Sequence, residues 1–209
     1  MSSNRKWFAN CIIMHPETLS LSLLMFVASC SPGPNNIVGF HSGFSHGIVK
    51  TIPLMLGVIF GFSTLVALVN FGLINLFKLY PIIQNILVIT GSFFLVYLAY
   101  KISFSKSSEK KENLDPVKFI DTFMYQFLNP KGVIVAIISV STYVEAGENF
   151  LNHSFWLIFI AFFFAVISIN FWVLAGKFMR KFATNEKFIK LFNYVMSGLL
   201  LSCIATFYL

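Results

Sequence analysis

The residues in this chain that could do chemistry stand where an apolar helix would least accommodate them. Lys131 lies inside an apolar run, in Asn129-Pro130-Lys131-Gly132, and an earlier apolar run carries Ser31-Pro32-Gly33-Pro34-Asn35-Asn36. Amides, one cation and helix-opening prolines are groups that bind and orient a charged molecule. They are not a reaction centre: no nucleophile stands beside a base, and no paired Asp or His-Glu motif accompanies them. Cys11, Cys30 and Cys203 are odd in number and far apart, which offers neither a disulfide framework nor a metal site. The residues point to binding, with no enzyme activity, cofactor or metal.

Proline at the first position of a helix costs no hydrogen bond, and an asparagine before it can cap the exposed amides. Asn129-Pro130 has that form and is followed by the apolar GVIVAIISVSTYV. Pro34 likewise opens a helix through Asn35, Asn36 and Ile37, with Gly33 expected to supply an unusual backbone before it. Each new helix starts with free N–H groups and a partial positive charge. A lysine near the middle of a bilayer is costly, about 2.5–3.5 kcal/mol on insertion scales, and is functional by default. No acidic residue lies deep in an apolar run to neutralise Lys131. Two partners stay open for it: a ligand carboxylate, or the carbonyls freed at the other break.

The elements that must position these groups are membrane helices. The chain has 209 residues, 57% of them hydrophobic and 11% charged, with a mean hydropathy of +0.79; a soluble domain is about one-quarter charged. The fold class is an all-α integral membrane protein. A span needs about 20 mainly apolar residues, and six are predicted, at roughly 18–43, 50–77, 81–103, 119–143, 154–176 and 188–208. Eleven of the 15 Lys and Arg residues then fall on one side, in the first, third and fifth loops, against Arg5, Lys6 and Lys78 on the other. That asymmetry makes the first side cytoplasmic and places both termini outside the cytoplasm, in a bacterial inner membrane. Because the basic residues follow the loops, the net charge of +7 speaks for orientation in a lipid bilayer and not for a nucleic-acid partner.

The polar stretch 104–118 reads as a cytoplasmic linker between two halves, 1–103 and 119–209, with three spans each. The second half enters from the opposite side to the first, which is the arrangement of a 3+3 inverted repeat. In each half the first helix is the broken one, helix one and helix four. Each break falls about 10–15 residues after entry, or roughly 15–20 Å into a core about 30 Å thick. Irregular backbone at that depth persists only where it is buried in protein or lines a cavity. Matched interruptions in two halves are the best sequence pointer to a transporter's binding site. Pro32, Gly33, Pro34, Asn35, Asn36, Asn129, Pro130 and Lys131 are therefore the candidate substrate-binding residues. Asn70 and Asn170, inside the second and fifth spans, are candidates for lining the pathway, although single Asn residues there also serve as glue between helices. A swing of one three-helix half against the other would open such a site to the two sides in turn.

Pro32-Gly33-Pro34-Asn35 in the first helix and Asn129-Pro130-Lys131 in the fourth resemble the paired signature of the LysE/RhtB superfamily of amino-acid exporters. The resemblance continues through His41–Gly61, Gly91–Ile102 and Phe119–Gly132, and so covers nearly the whole chain. It implies secondary transport: export of amino acids or their derivatives from the cytoplasm, driven by an ion gradient with the proton as coupling ion, by a helical protein that forms homodimers. Phe62 stands where many members carry an acidic residue, and Thr122 and Ala99 replace glycines common in the family. The missing carboxylate favours a neutral or zwitterionic solute over a cationic one. Alternatives that keep the fold are a transporter of metal ions or other small solutes, and a membrane scaffold that transports nothing.

The orientation has a direct test. With Cys11, Cys30 and Cys203 replaced, a cysteine introduced at Lys50 or Lys187 is expected to react with a membrane-impermeant maleimide in inside-out vesicles and not in intact cells. The reverse pattern overturns the assignment of sides.

Overall fold

The computed structural model describes residues 16–73, 75, 79–80, 82–104, 117–144, 147, 149–183 and 185–205. Both chain ends, Lys78 and most of the 104–118 linker lie outside the described residues, as do Arg5, Lys6 and Cys11. Seven α-helices follow in order: α1 Pro16–Cys30, α2 Pro34–Leu68, α3 Ile82–Ser103, α4 Phe119–Leu128, α5 Pro130–Tyr143, α6 Phe150–Met179 and α7 Glu186–Ala205. A π-helical turn, Val69–Leu73, continues α2, and a 3-10 turn, Arg180–Phe182, closes α6. Among the described residues there is no strand.

The prolines and glycines decide where these helices stop and start. Pro34 and Pro130 sit in the first turns of α2 and α5, where a missing N–H costs nothing. The chain bends by 62° between α4 and α5. Gly47 divides α2: its φ of 75° and ψ of −178° belong to a region open only to glycine. The chain folds back there. Asn35 and Val58, which a continuous helix would hold about 35 Å apart, line one small cavity. Ser42 Oγ and Thr51 Oγ1, on the two arms, lie 2.9 Å apart.

Gly47 splits the 40-residue apolar stretch Pro34–Leu73 into two arms, and α1 is a shorter apolar helix before it. Among the described residues four helical stretches are long and apolar enough to cross a membrane, Pro34–Leu73, Asn85–Ser103, Phe150–Phe182 and Glu186–Ala205, and the bent pair α4–α5 makes a fifth if it is one span. Large apolar side chains such as Phe26, Phe60, Phe93 and Phe155 point outward, as lipid-facing helices require. The protein is an all-α integral membrane protein.

Association of helices in lipid depends on close backbone approach, and small residues permit it. The first arm of α2 packs on α6 through Gly39, Gly43 and Gly176: a Cβ at Gly43 would meet the Val173 backbone, and one at Gly176 the Phe40 backbone. The second arm packs on α4 through Gly57 and Gly61, against the backbones of Phe119 and Phe123. Gly91 of α3 sits on the Leu128 carbonyl at the end of α4, and α3 also packs along α7. The closest contacts of each half are thus made with the other half.

Two apolar clusters result. One gathers Val38, Phe44, Leu54, Leu98, Val173 and Phe192 on the side of Gly47. The other gathers Leu21, Leu65, Val69, Val140 and Leu157 on the opposite side. Between them lie the two helix breaks.

Gly43→Ala and Gly176→Ala each set a methyl group on the backbone of the facing helix and are expected to destabilise the protein by about 1–3 kcal/mol. Gly198→Ala, with open space around it, is expected to be neutral or to stabilise by about 0.5–1 kcal/mol. Thermal unfolding in detergent measures the difference; three equal shifts would contradict the packing described.

Candidate functional site

The two breaks meet. Ile37 N donates to Gly33 O at 2.9 Å and Val133 N to Asn129 O at 3.0 Å, the first hydrogen bonds of α2 and α5. The N–H groups ahead of them, on Asn35 and Asn36 and on Lys131 and Gly132, have no carbonyl within the helix to receive them. All four of those residues line one cavity, together with Gly33, Pro34 and Asn129. Its volume is about 70 Å³, where about 10–15 Å³ holds one water. Met25, from the cluster on one side, and Val58 and Ile169, from the cluster on the other, line it. Phe62 also lines the cavity, and among the described residues no acidic side chain does.

Two local expectations fail. Asn129 stands at the capping position of α5 but makes no side-chain capping bond. Gly33 has φ −158° and ψ 172°, an extended backbone that any residue adopts. Glycine is needed there for room instead, because a Cβ would lie 3.0 Å from Lys131 Nζ and 3.2 Å from its Cδ. The lysine stem runs across the face of Gly33.

Lys131 reaches the other break and takes the protein partner open to it. Its Nζ donates to Ser31 Oγ at 2.7 Å and to Ser31 O at 3.1 Å. An ammonium has three N–H donors, so one is left for a further acceptor. The carbonyls that the end of α1 frees are otherwise shared out. Ser31 Oγ donates to Ala28 O at 3.0 Å. Asn36 Nδ2 donates to Ser29 O at 2.8 Å and Ser31 O at 3.1 Å. Ser168 Oγ, from α6, has one proton to donate, with Ser29 O at 2.8 Å and Asn36 Oδ1 at 3.3 Å as its two acceptors.

Asn35 pairs with Gln126 of α4 in both directions: Asn35 Nδ2 donates at 2.7 Å, and Gln126 Nε2 donates back at 3.1 Å. The glutamine is wholly buried. This amide pair stands at the edge of the central cavity. Beyond it lies a second pocket of about 10 Å³, lined by Asn35, Val58, Leu98, Val117 and Tyr125.

Of the residues singled out from the sequence, Gly33, Pro34, Asn35, Asn36, Asn129 and Lys131 come together around the cavity. Pro130 is buried behind it, and Pro32 is exposed. Asn70 bonds Ser154 Oγ at 2.8 Å and Asn170 bonds Val166 O at 2.8 Å; neither lines the cavity. Sequence reading missed Gln126, Ser29 and Ser168. Gln126 carried a signal, being an amide one helical turn before Asn129 in the otherwise apolar FMYQFL. The two serines carried none that sets them apart from serines bonded to their own helix.

A multi-pass helical protein that brings two helix N-termini and a lysine to one cavity between its two apolar clusters is built as a membrane transporter. The chain belongs to the LysE type translocator family, whose model matches residues 26–209; it is a transport protein and not an enzyme. It is similar to the cysteine/O-acetylserine efflux protein of Salmonella paratyphi A, with 30% identity over 182 residues that cover 85% of this chain and 90% of that one. The protein of the same name from Escherichia coli K12 is 29% identical over the same length and shares. No solved structure matches the chain.

The amide pair gives a prediction of its own. Asn35→Leu or Gln126→Leu alone leaves a buried amide unpaired, at a cost of about 1–3 kcal/mol. The double replacement is expected to recover part of that loss, with a coupling of about 0.6–1.7 kcal/mol as for hydrogen bonds between membrane helices. Additive losses in thermal unfolding would mean that the two amides do not interact.

Proposed function

We propose that this protein exports amino acids or close derivatives from the cytoplasm across the bacterial inner membrane, and that the cavity between the breaks is the solute site. One observation carries the reading: two helix N-termini and the Lys131 ammonium converge on a cavity whose lining, among the described residues, holds no carboxylate. Such a site favours an anionic group, because backbone N–H donors, helix dipoles and a cation all act in the same direction. A solute carboxylate supplies it. A metal cation would meet the positive ends of both helices, and among the described residues no three His, Cys, Asp or Glu side chains lie together. Phe62, apolar and beside the site, suits a small neutral side chain on the solute. The efflux function named for the similar proteins of Salmonella and Escherichia coli supports the direction of transport.

In this reading the chain is an inverted repeat of residues 1–103 and 119–209 with both termini outside, working with a second copy, and a proton gradient drives efflux. His41 is a buried titratable group on the Gly47 side of the cavity, bonded to Asn193 Oδ1 at 3.2 Å and Ser45 Oγ at 3.3 Å. The two apolar clusters act as the two closures, each loosening in turn. The glycine contacts favour moving bodies assembled from both halves, since a swing of one sequential half against the other would break the closest backbone contacts.

Purified protein in liposomes preloaded with labelled amino acids is expected to release at least one of them, faster under an imposed proton gradient and slowly once an ionophore collapses it. Asn129→Ala and Lys131→Ala should abolish efflux while leaving folded protein, judged by elution as a single species in detergent. Absence of efflux for every amino acid and derivative sinks the functional reading; normal efflux by both variants sinks the site alone.

A further inference from the structure

The side chain of Asn129 is 3% exposed and lines the cavity, yet its Oδ1 has no hydrogen-bond donor. Among the described residues its Nδ2 makes no hydrogen bond either, and the amide does not cap α5. A buried amide without a partner is rare enough in folded proteins to require an explanation. Close by, Asn36 Nδ2 and both ends of the Gln126 amide are engaged.

The other polar groups at the cavity sort by sign. The leading N–H groups of α2 and α5 and the third N–H of Lys131 are donors. The Asn35 carbonyl is engaged by Gln126, and Asn36 Oδ1 shares the one proton of Ser168 with Ser29 O. Of the acceptors at the cavity among the described residues, the Ser29 and Ser168 hydroxyls keep lone pairs, and the Asn129 amide oxygen is wholly without a donor. A carboxylate uses the donors and leaves these acceptors unused, whereas a group carrying both a carboxylate and an ammonium uses both sets. Nothing holds the Asn129 amide, so it can turn its oxygen to such a ligand without breaking a bond.

We infer that Asn129 reads the α-ammonium of the solute, opposite the donors that hold its carboxylate, so that a free α-amino group is required for transport. The inference rests on the cavity being the solute site. It narrows the substrates to α-amino acids that keep both charges, and it makes Asn129 a specificity-determining residue. A site whose buried acceptor is left unpaired discriminates steeply against an analogue that lacks the donor.

The test compares cysteine with 3-mercaptopropionate, the same molecule without its amino group and therefore smaller, in proteoliposomes preloaded with either. Wild-type protein is expected to favour cysteine by about 100-fold or more. Asn129→Leu, which keeps the branching and heavy-atom count of the side chain, should cut cysteine efflux by about 30-fold or more and bring the two solutes within about threefold of each other. Asn129→Asp, which keeps an acceptor, should retain the preference and decides the matter if the Leu variant does not fold. Lys131→Met should lower both solutes alike. Equal efflux of the two solutes by wild-type protein overturns the inference while leaving the cavity as the export site, and so does an unchanged ratio in Asn129→Leu. If neither solute but another amino acid is released, that amino acid and its analogue without the amino group replace the pair, and equal efflux of the two overturns the inference. If no amino acid is released at all, the functional reading beneath it fails too.

Discussion

A helix interrupted inside a membrane leaves carbonyls at one end and N–H groups at the other, with no water to receive them. Most of this protein's interior answers that constraint. The carbonyls left where α1 ends are met by Ser31 in the break itself and by Asn36, Lys131 and Ser168 from three different helices. The N–H groups that open α2 and α5 are instead left facing a shared cavity. The asymmetry is chemical: carbonyls are satisfied by the protein itself, and donors are kept for something else. Glycine contacts hold the arrangement, because only bare backbone lets α2 approach α4 and α6 closely enough to bring both breaks to one place.

Lys131 illustrates how a single residue can be structural and functional together. It bridges from the second break to the first through Ser31, which steadies both. It also brings a positive charge to a place where two helix dipoles already point. Removing it would loosen the geometry and weaken the field at the same time, so its loss alone cannot separate the two roles. Asn129 can separate them, because it holds nothing in place.

The breaks themselves were legible in the sequence, since proline and glycine inside apolar runs have few other meanings. So was the meeting of six of the eight candidate residues. What could not be read was which local device each residue would use. An asparagine before a proline fits the capping rule, but rotation of its side chain is decided by tertiary surroundings that a single sequence does not give. Gly33 fits a rule about backbone freedom, whereas its actual reason is a lysine stem roughly 100 residues later in the chain, a distance local patterns do not cover. Gln126 and Ser168 contribute through pairing across helices, and that depends on rotation about the helix axis. Periodicity is uninformative here because the helices are apolar on every side.

The bond between Lys131 and Ser31 also has a history, because the chain is made from its N-terminus. Ser31 is synthesised and inserted with the first passage, well before the ribosome reaches Lys131. When the α4–α5 pair enters the bilayer, the oxygens that accept the Lys131 ammonium are already there. A buried charge that would burden a lone helix arrives late, into a prepared receptor. Had the lysine stood in the first break and the serine in the second, the cation would have waited in lipid for a partner not yet made.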